Sequence, residues 1–539
     1  MPVSLDGSLL ETVSVVLLLF VLVGIGALIS RFSDVDLLDS LRERFVYGVP
    51  WGTAIVIILL YFIYTVVQGA GSPGGPIVEG FRSWSLWYPQ GTIFSSFTHA
   101  SDGHLRGNAF GTLAFAPIAE YAWRHYPDDN ARIQHPIARI GVFVLAVFLV
   151  GIAGALFVPG AVIGFSGVVF AFAGFALVMR PVLTVFAILG VQAVRLLYNA
   201  IQDPVVTAAT RPRIVSPSWA DTALQGHLFG VLIGVLLAVF LLRLRNERPE
   251  FMYVFFAALV FAVTRSLWAI YWFLGSEEFI LYQALGAAGV LVFAGLIAVA
   301  TLSPTTRSRL LPTVPLANVA VGILVVVVVI LATSGLAYSL VTVSPGDDVE
   351  NGIQVEDYRI AYVDSADDQY ISALEIPGFG SPLSASASGI VVASDDRNAW
   401  GVAVSASRLE FNGGATVAVG DATWRELVRI DRNEWSFVDG NSTYRVSAEY
   451  EGEHLLHTAS PAVSEMILNN ATTQIEATAE GYELVVERNG QNERAVMPAH
   501  NETAKLGGIS FERIDDDLFA EHEETRVRIA EFSQRDRPS

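Results

Sequence analysis

Cysteine is absent from the 539 residues, which removes disulfides, thiolate metal sites, iron–sulfur clusters and cysteine nucleophiles together. Lysine is nearly absent: of 33 Lys+Arg, only Lys505 is lysine. Charge of any kind is scarce, 16% of residues, against roughly a quarter in soluble domains. With 53% hydrophobic residues and a mean hydropathy of +0.49, a wholly soluble protein is excluded. A basic surplus is lacking as well. The net charge of −20 offers no surface to meet phosphate, so nucleic-acid binding is disfavoured. Many carboxylates with almost no lysine suit very high salt, where screening acts over about 3 Å at 1 M, and an extremely halophilic source is expected. Neither a repeat nor a low-complexity tract is evident.

What charge there is divides unevenly. Residues 1–342 hold 17 acids and 18 bases, whereas residues 343–539 hold 36 acids and 15 bases. The first part contains ten runs that are wholly or nearly apolar, at about 11–30, 51–68, 105–122, 137–158, 165–180, 182–200, 225–243, 251–273, 279–302 and 317–342. A bilayer core needs roughly 20 such residues per helix. The run at 105–122 is the weakest, because it carries Arg106, Asn108 and Pro117. The first run lacks a basic flank and is full length, so it reads as a span and not as a cleaved signal peptide.

Arginines orient the bundle. Arg31, Arg42 and Arg44, then Arg124, Arg132 and Arg139, Arg180, the cluster Arg243, Arg245 and Arg248, and Arg307 with Arg309 fill the odd-numbered connections. Arg211 and Arg213 are the exception. Odd connections therefore face the cytoplasm, with the N-terminus and residues 343–539 outside. Short alternating stretches such as Gly389–Ala393, Gly401–Ser407 and Tyr444–Glu449, punctuated by Asn-Gly, Asp-Gly and Gly-Gly, make the outer part β-rich. Sequons at Asn441, Asn470 and Asn501 all fall there. Trp84, Trp87, Tyr88 and Trp219 are expected at the membrane interface.

Three groups of residues stand out in the apolar part: His99, His104 and Asn108; Gly164-Phe165-Ser166-Gly167; and His227 followed by Gly230 and Gly234. Each alone has a bland reading. Gly-x-Ser-Gly serves helix packing, a histidine near a helix end makes an interfacial hydrogen bond, and an asparagine caps or bridges. Together they put a nucleophile, a base and oxyanion donors at one depth on three helices, and ionisable groups within spans default to function.

The order H-x4-H-x3-N, G-x-S-G, H-x2-G-x3-G resembles the rhomboid family of intramembrane serine proteases, over about residues 51–243. The resemblance implies Ser166 as nucleophile, His227 as general base, and His104 and Asn108 as oxyanion donors beside the Ser166 N–H. Gly164, Gly167, Gly230 and Gly234 would support the site, and His99 is either part of it or a structural hydrogen-bonding residue. Phe170 stands where the family often carries a tyrosine stacked on the base histidine; it keeps the ring and loses the hydroxyl. The segment Gln202–Leu224 is longer than usual and, with Gly69–Asp102, would line or cover the opening.

Physical chemistry runs alongside. A serine hydroxyl needs an adjacent base, and a neutral imidazole suits that task. Asp221 lies six residues before His227, more than a helical turn away, which favours a dyad over a triad. Gly167, Ala171 and Gly174 face Gly230 and Gly234 as two smooth stripes that would bring Ser166 Oγ within about 3 Å of His227.

The expected architecture is an α-helical polytopic membrane protein. Residues 1–45 carry an extra N-terminal span and cytoplasmic loop, 46–245 a rhomboid-like six-helix core, 246–342 three additional spans, and 343–539 an acidic β-rich extracytoplasmic domain. The expected activity is serine endopeptidase action on transmembrane protein substrates in the lipid bilayer, with no cofactor and no metal; oligomeric state is open. A catalytically silent rhomboid-like binder of membrane helices is the alternative. A transporter fits less well, because the ionisable groups well inside runs are Arg195 and Arg265 alone.

Overall fold

The computed structural model describes residues 37–127, 131–201, 223–275, 278–303, 306, 314–343, 349–367 and 386–533. The first apolar run, Asp221, Trp219 and most of the Gln202–Leu224 segment lie outside them. Contacts divide the chain into two compact units. One is built from the chain up to Gly71 with Phe81–Trp272 and Ile280–Leu340, the other from Ser72–Gly80, Phe273–Phe279 and Val341–Ser539.

Nine helices of the first unit correspond to nine apolar runs: α1 (Trp51–Phe62), α2 (Asp102–Trp123), α3 (Pro136–Phe157), α4 (Ser166–Met179), α5 (Pro181–Ile201), α6 (Leu224–Arg245), α7 (Phe251–Thr264), α8 (Gln283–Ala300) and α9 (Leu316–Leu340). Among the described residues, four of them, α3, α6, α8 and α9, are long and apolar enough to cross a bilayer. Even the polar run at 105–122 forms a continuous helix, with Pro117 inside it.

The run at 251–273 is not one helix. α7 stops at Thr264, Ser266 takes a positive φ of 56°, and Tyr271–Gly275 pairs with Glu278–Leu281 as a two-stranded hairpin. The returning chain passes so close to α8 that a Cβ on Gly286 would collide with the Trp268 carbonyl. Hydropathy does not distinguish a buried helix from an apolar strand.

The interior also holds a carboxylate missing from the sequence-based inventory of interior charges. Pro50, before α1, offers no side-chain cap. Glu120 of α2 supplies it instead, accepting the Gly52 and Thr53 N–H groups at 2.7 and 2.9 Å and the Thr53 hydroxyl at 2.8 Å. His125 lies 2.6 Å from the same carboxylate, and both side chains are fully buried. A negative group at a helix N-terminus meets unsatisfied donors and the positive end of the dipole. Trp84, Tyr88 and Trp87, the described aromatics expected at the interface, differ in exposure. Trp84 and Tyr88 are buried in the protein, while Trp87 is exposed.

The second unit contains an eight-stranded and two four-stranded antiparallel sheets. Strand Arg425–Phe437 alternates inward Val428, Ile430 and Trp435 with less buried neighbours, the period-two pattern of a half-buried strand. Two-residue hairpin loops at Asn469-Asn470, Asn489-Gly490 and Gly507-Gly508 all have positive φ at both positions, as tight hairpins require. Asn441, Asn470 and Asn501 are exposed. Arg425 donates to the Pro73 carbonyl at 2.7 Å and also to that of Gly75, so Ser72–Gly80 is held within this unit.

Candidate active site

A cavity of 640 Å³ in the first unit is lined by His104 and Asn108 of α2, Ser166 and Phe170 of α4, and His227 of α6. Local structure explains how each arrives there. Ser101 caps α2, its hydroxyl accepting the His104 N–H at 3.2 Å. That fixes the start of the helix, and Asn108 follows one turn later on the same face. Asn108 is buried, and its Nδ2 has no hydrogen-bond partner among the described residues. An unpaired amide donor at a cavity wall is costly; it is a group suited to receiving an anion.

Ser166 is the first residue of α4 and is half-buried. At that position the first N–H groups have no intrahelical acceptor and point out of the helix end. Gly164, two residues earlier, has φ +118°, and a Cβ there would lie 2.6 Å from His104 Nε2. Both its backbone conformation and its proximity to the imidazole require glycine. Gly164 also donates its N–H to Ser95 O at 2.8 Å, which ties the turn down.

His227 is buried in the first turn of α6, with Nδ1 lacking a partner among the described residues. The Phe170 ring lies flat on it, with centroids 3.9 Å apart and planes 15° apart. Phe261 of α7 backs Phe170 edge-on at 5.3 Å. No hydrogen bond links Ser166 to His227 among the described residues. The hydrogen bond from Ser166 to His227 is therefore not made in this structure; catalytic hydrogen bonds often tighten only around substrate.

Glycine contacts set the spacing of α4 and α6. A Cβ on Gly230 would collide with the Gly167 carbonyl, one on Gly234 with the Ala171 carbonyl, and one on Gly174 with the Val231 carbonyl. His99 stands behind the cavity instead of lining it. It is fully buried, its ring edge-on to His104 at 5.1 Å and to Tyr64 at 6.3 Å. The Gln68 amide brackets its backbone, accepting the His99 N–H at 2.7 Å and donating to its carbonyl at 3.0 Å.

Residues 84–244 match the family model described as Rhomboid domain. This chain carries a rhomboid domain. No curated protein and no solved structure matches it. The rhomboid domain contains all ten site residues singled out in the sequence, and it ends before α7. With its apolar helices it makes the chain an integral membrane protein, followed by a β-rich C-terminal region.

Sequence reasoning missed part of the wall of the rhomboid cavity. Arg82, Phe261, Arg265 and Tyr271 also line it. Arg265 had drawn notice only as a charge inside an apolar run, and nothing in the sequence pairs Phe261 with Phe170. Among the described residues no group of three or more His, Asp or Glu side chains has the arrangement of a metal site.

Proposed function

We propose that the protein is an intramembrane serine endopeptidase that hydrolyses peptide bonds in or near transmembrane helices of other membrane proteins. Ser166 Oγ attacks the scissile carbonyl while His227 takes its proton and later passes it to the leaving amine. The Ser166 N–H, the Asn108 amide and the His104 imidazole donate to the oxyanion. Water then releases the acyl group by the same route. Phe170 orients the imidazole by stacking, in place of a carboxylate.

The observation that carries this reading is the convergence of Ser166, His227, His104 and Asn108 on one cavity within the rhomboid domain. Helix length supports it further. α4 has 14 residues, about 21 Å at 1.5 Å per residue, against a hydrocarbon core of about 30 Å. A nucleophile at its first residue therefore begins below the membrane surface, and the cavity is its route to water. The arginine distribution supports an extracellular site and β-rich domain, in a reading with residues 46–245 as the protease core and 246–342 as additional spans.

Labelling of the intact protein by a fluorophosphonate probe tests the assignment. Labelling that disappears in Ser166→Ala is the expected result. Absence of labelling in the intact protein at any salt would leave the silent helix-binding reading in its place. A second measurement addresses the oxyanion. Asn108→Ala is expected to lower turnover of a transmembrane reporter by about 10²–10³, with a smaller change in apparent substrate constant. A change in the substrate constant alone would reassign Asn108 to binding.

A further inference from the structure

The general base His227 buries its Nδ1 without a hydrogen-bond partner among the described residues. A catalytic base is ordinarily oriented by a third group, and here the Phe170 ring stacked on the imidazole takes that place. Stacking orients the imidazole only as firmly as Phe170 is itself held. Phe170 lines the cavity, and the torsion that turns a phenyl ring lies in a broad well, so the ring needs a neighbour to fix it.

Phe261 is that neighbour. It is 1% exposed, and its ring meets Phe170 edge-on at 5.3 Å with the planes 72° apart. The same ring meets Phe115 of α2 edge-on at 6.0 Å and 79°. Edge-to-face contact is a favoured geometry for aromatic pairs. Phe115 lies seven residues after Asn108, on the same face of α2. Phe261 thus bridges the helix of the oxyanion donors and the helix of the nucleophile. It comes from α7, which begins after the matched rhomboid residues end. The other residues that α7 buries are Val254, Ala257, Ala258 and Ala262, so Phe261 is the one large side chain this helix commits to the interior.

We propose that Phe261 is a positioning residue for the general base: it holds Phe170 at the angle at which Phe170 holds His227. The proposal rests on the protease reading and deepens it. It also gives the helix that follows the rhomboid domain a part in catalysis, exerted through packing and not through contact with the reacting atoms.

The test measures turnover of a transmembrane reporter, its apparent substrate constant and the rate of fluorophosphonate labelling, all in the full-length protein. Phe261→Ala is expected to lower turnover and labelling rate about tenfold, since a misplacement of about 1 Å can cost 10². The substrate constant should stay within about twofold. Phe261→Leu keeps an apolar side chain and loses the ring edge. A loss of about threefold is expected for it, and it decides the matter where the alanine variant does not fold. In a Phe170→Leu background either substitution should cost less than about twofold more, because residues that act through one another are not additive. A general loss of stability would not show that pattern. Phe261→Leu that cleaves and labels like the parent overturns the proposal. So do losses that multiply in the double variant, and a loss confined to the substrate constant, which would make Phe261 a substrate contact. In each of these outcomes the parent is still labelled at Ser166, so the protease reading stands. A parent protein that is neither labelled nor active on any reporter overturns the protease reading and this proposal with it.

Discussion

His227→Ala is expected to reduce turnover of a transmembrane reporter by more than about 10³ while leaving the apparent substrate constant within a few-fold. Removing a base from a unit that acts with its nucleophile costs nearly as much as removing both. The surroundings leave no substitute in place. Among the described residues lining the cavity, the only other imidazole is that of His104, which is on α2 and has been assigned to the oxyanion. Among those same described residues there is no aspartate or glutamate. The imidazole is small beside the helix it stands on, and Phe170 would lose a stacking partner without losing its contact with Phe261. Melting of the variant in detergent should therefore remain close to that of the parent. Single-turnover cleavage is the deciding measurement, because it isolates chemistry from product release. Retained turnover would require a different base and would remove His227 from the mechanism.

The core helices and the cavity residues were readable in the sequence to different depths. Hydropathy located α1 to α6 because lipid-embedded helices need long apolar runs whatever their partners. It failed at the end of α7, where Tyr271–Phe273 continues the apolar run although Ser266 has already turned the chain. Ser166, His227, His104 and Asn108 were legible because each belongs to a short local spacing, and Phe170 because it lies one turn beyond Ser166. Glu120 was not legible. Its partners, Gly52 and Thr53, are 68 and 67 residues away, and the carboxylate is satisfied only once α1 and α2 have packed. Arg265 shows the same limit from the other side. The sequence displays a charge in an apolar run but not the wall it forms. In the β-rich region, turn chemistry did what motifs did in the membrane: Asn489-Gly490 announces a tight hairpin, and the strands on either side pair from Arg488 and Gln491 onward.

Gly230→Val is expected to lower both stability and activity, and a control glycine shows why the effect is specific. Gly230 sits one turn after His227, facing the Gly167 carbonyl one residue after Ser166. A Cβ there would stand well inside the 3.0 Å limit that real Cβ atoms respect. The obstructing atom is backbone of α4 and cannot rotate away, so the two helices must part. Overpacking of a tight contact typically costs about 1–3 kcal/mol, occasionally more, and a branched side chain against a helix backbone belongs at the upper end. The same displacement separates Ser166 from His227, where a misplacement of about 1 Å can cost 10² in rate. Gly190, on α5, has nothing within 4 Å of its ideal Cβ. Gly190→Ala should therefore melt at or slightly above the parent temperature, since alanine is the better helix former by about 1 kcal/mol. Thermal melting and fluorophosphonate labelling of the two variants side by side distinguish helix spacing from general glycine content. Gly230→Val that melts and labels like the parent would mean that the close approach of α4 and α6 is not what holds the nucleophile and the base together.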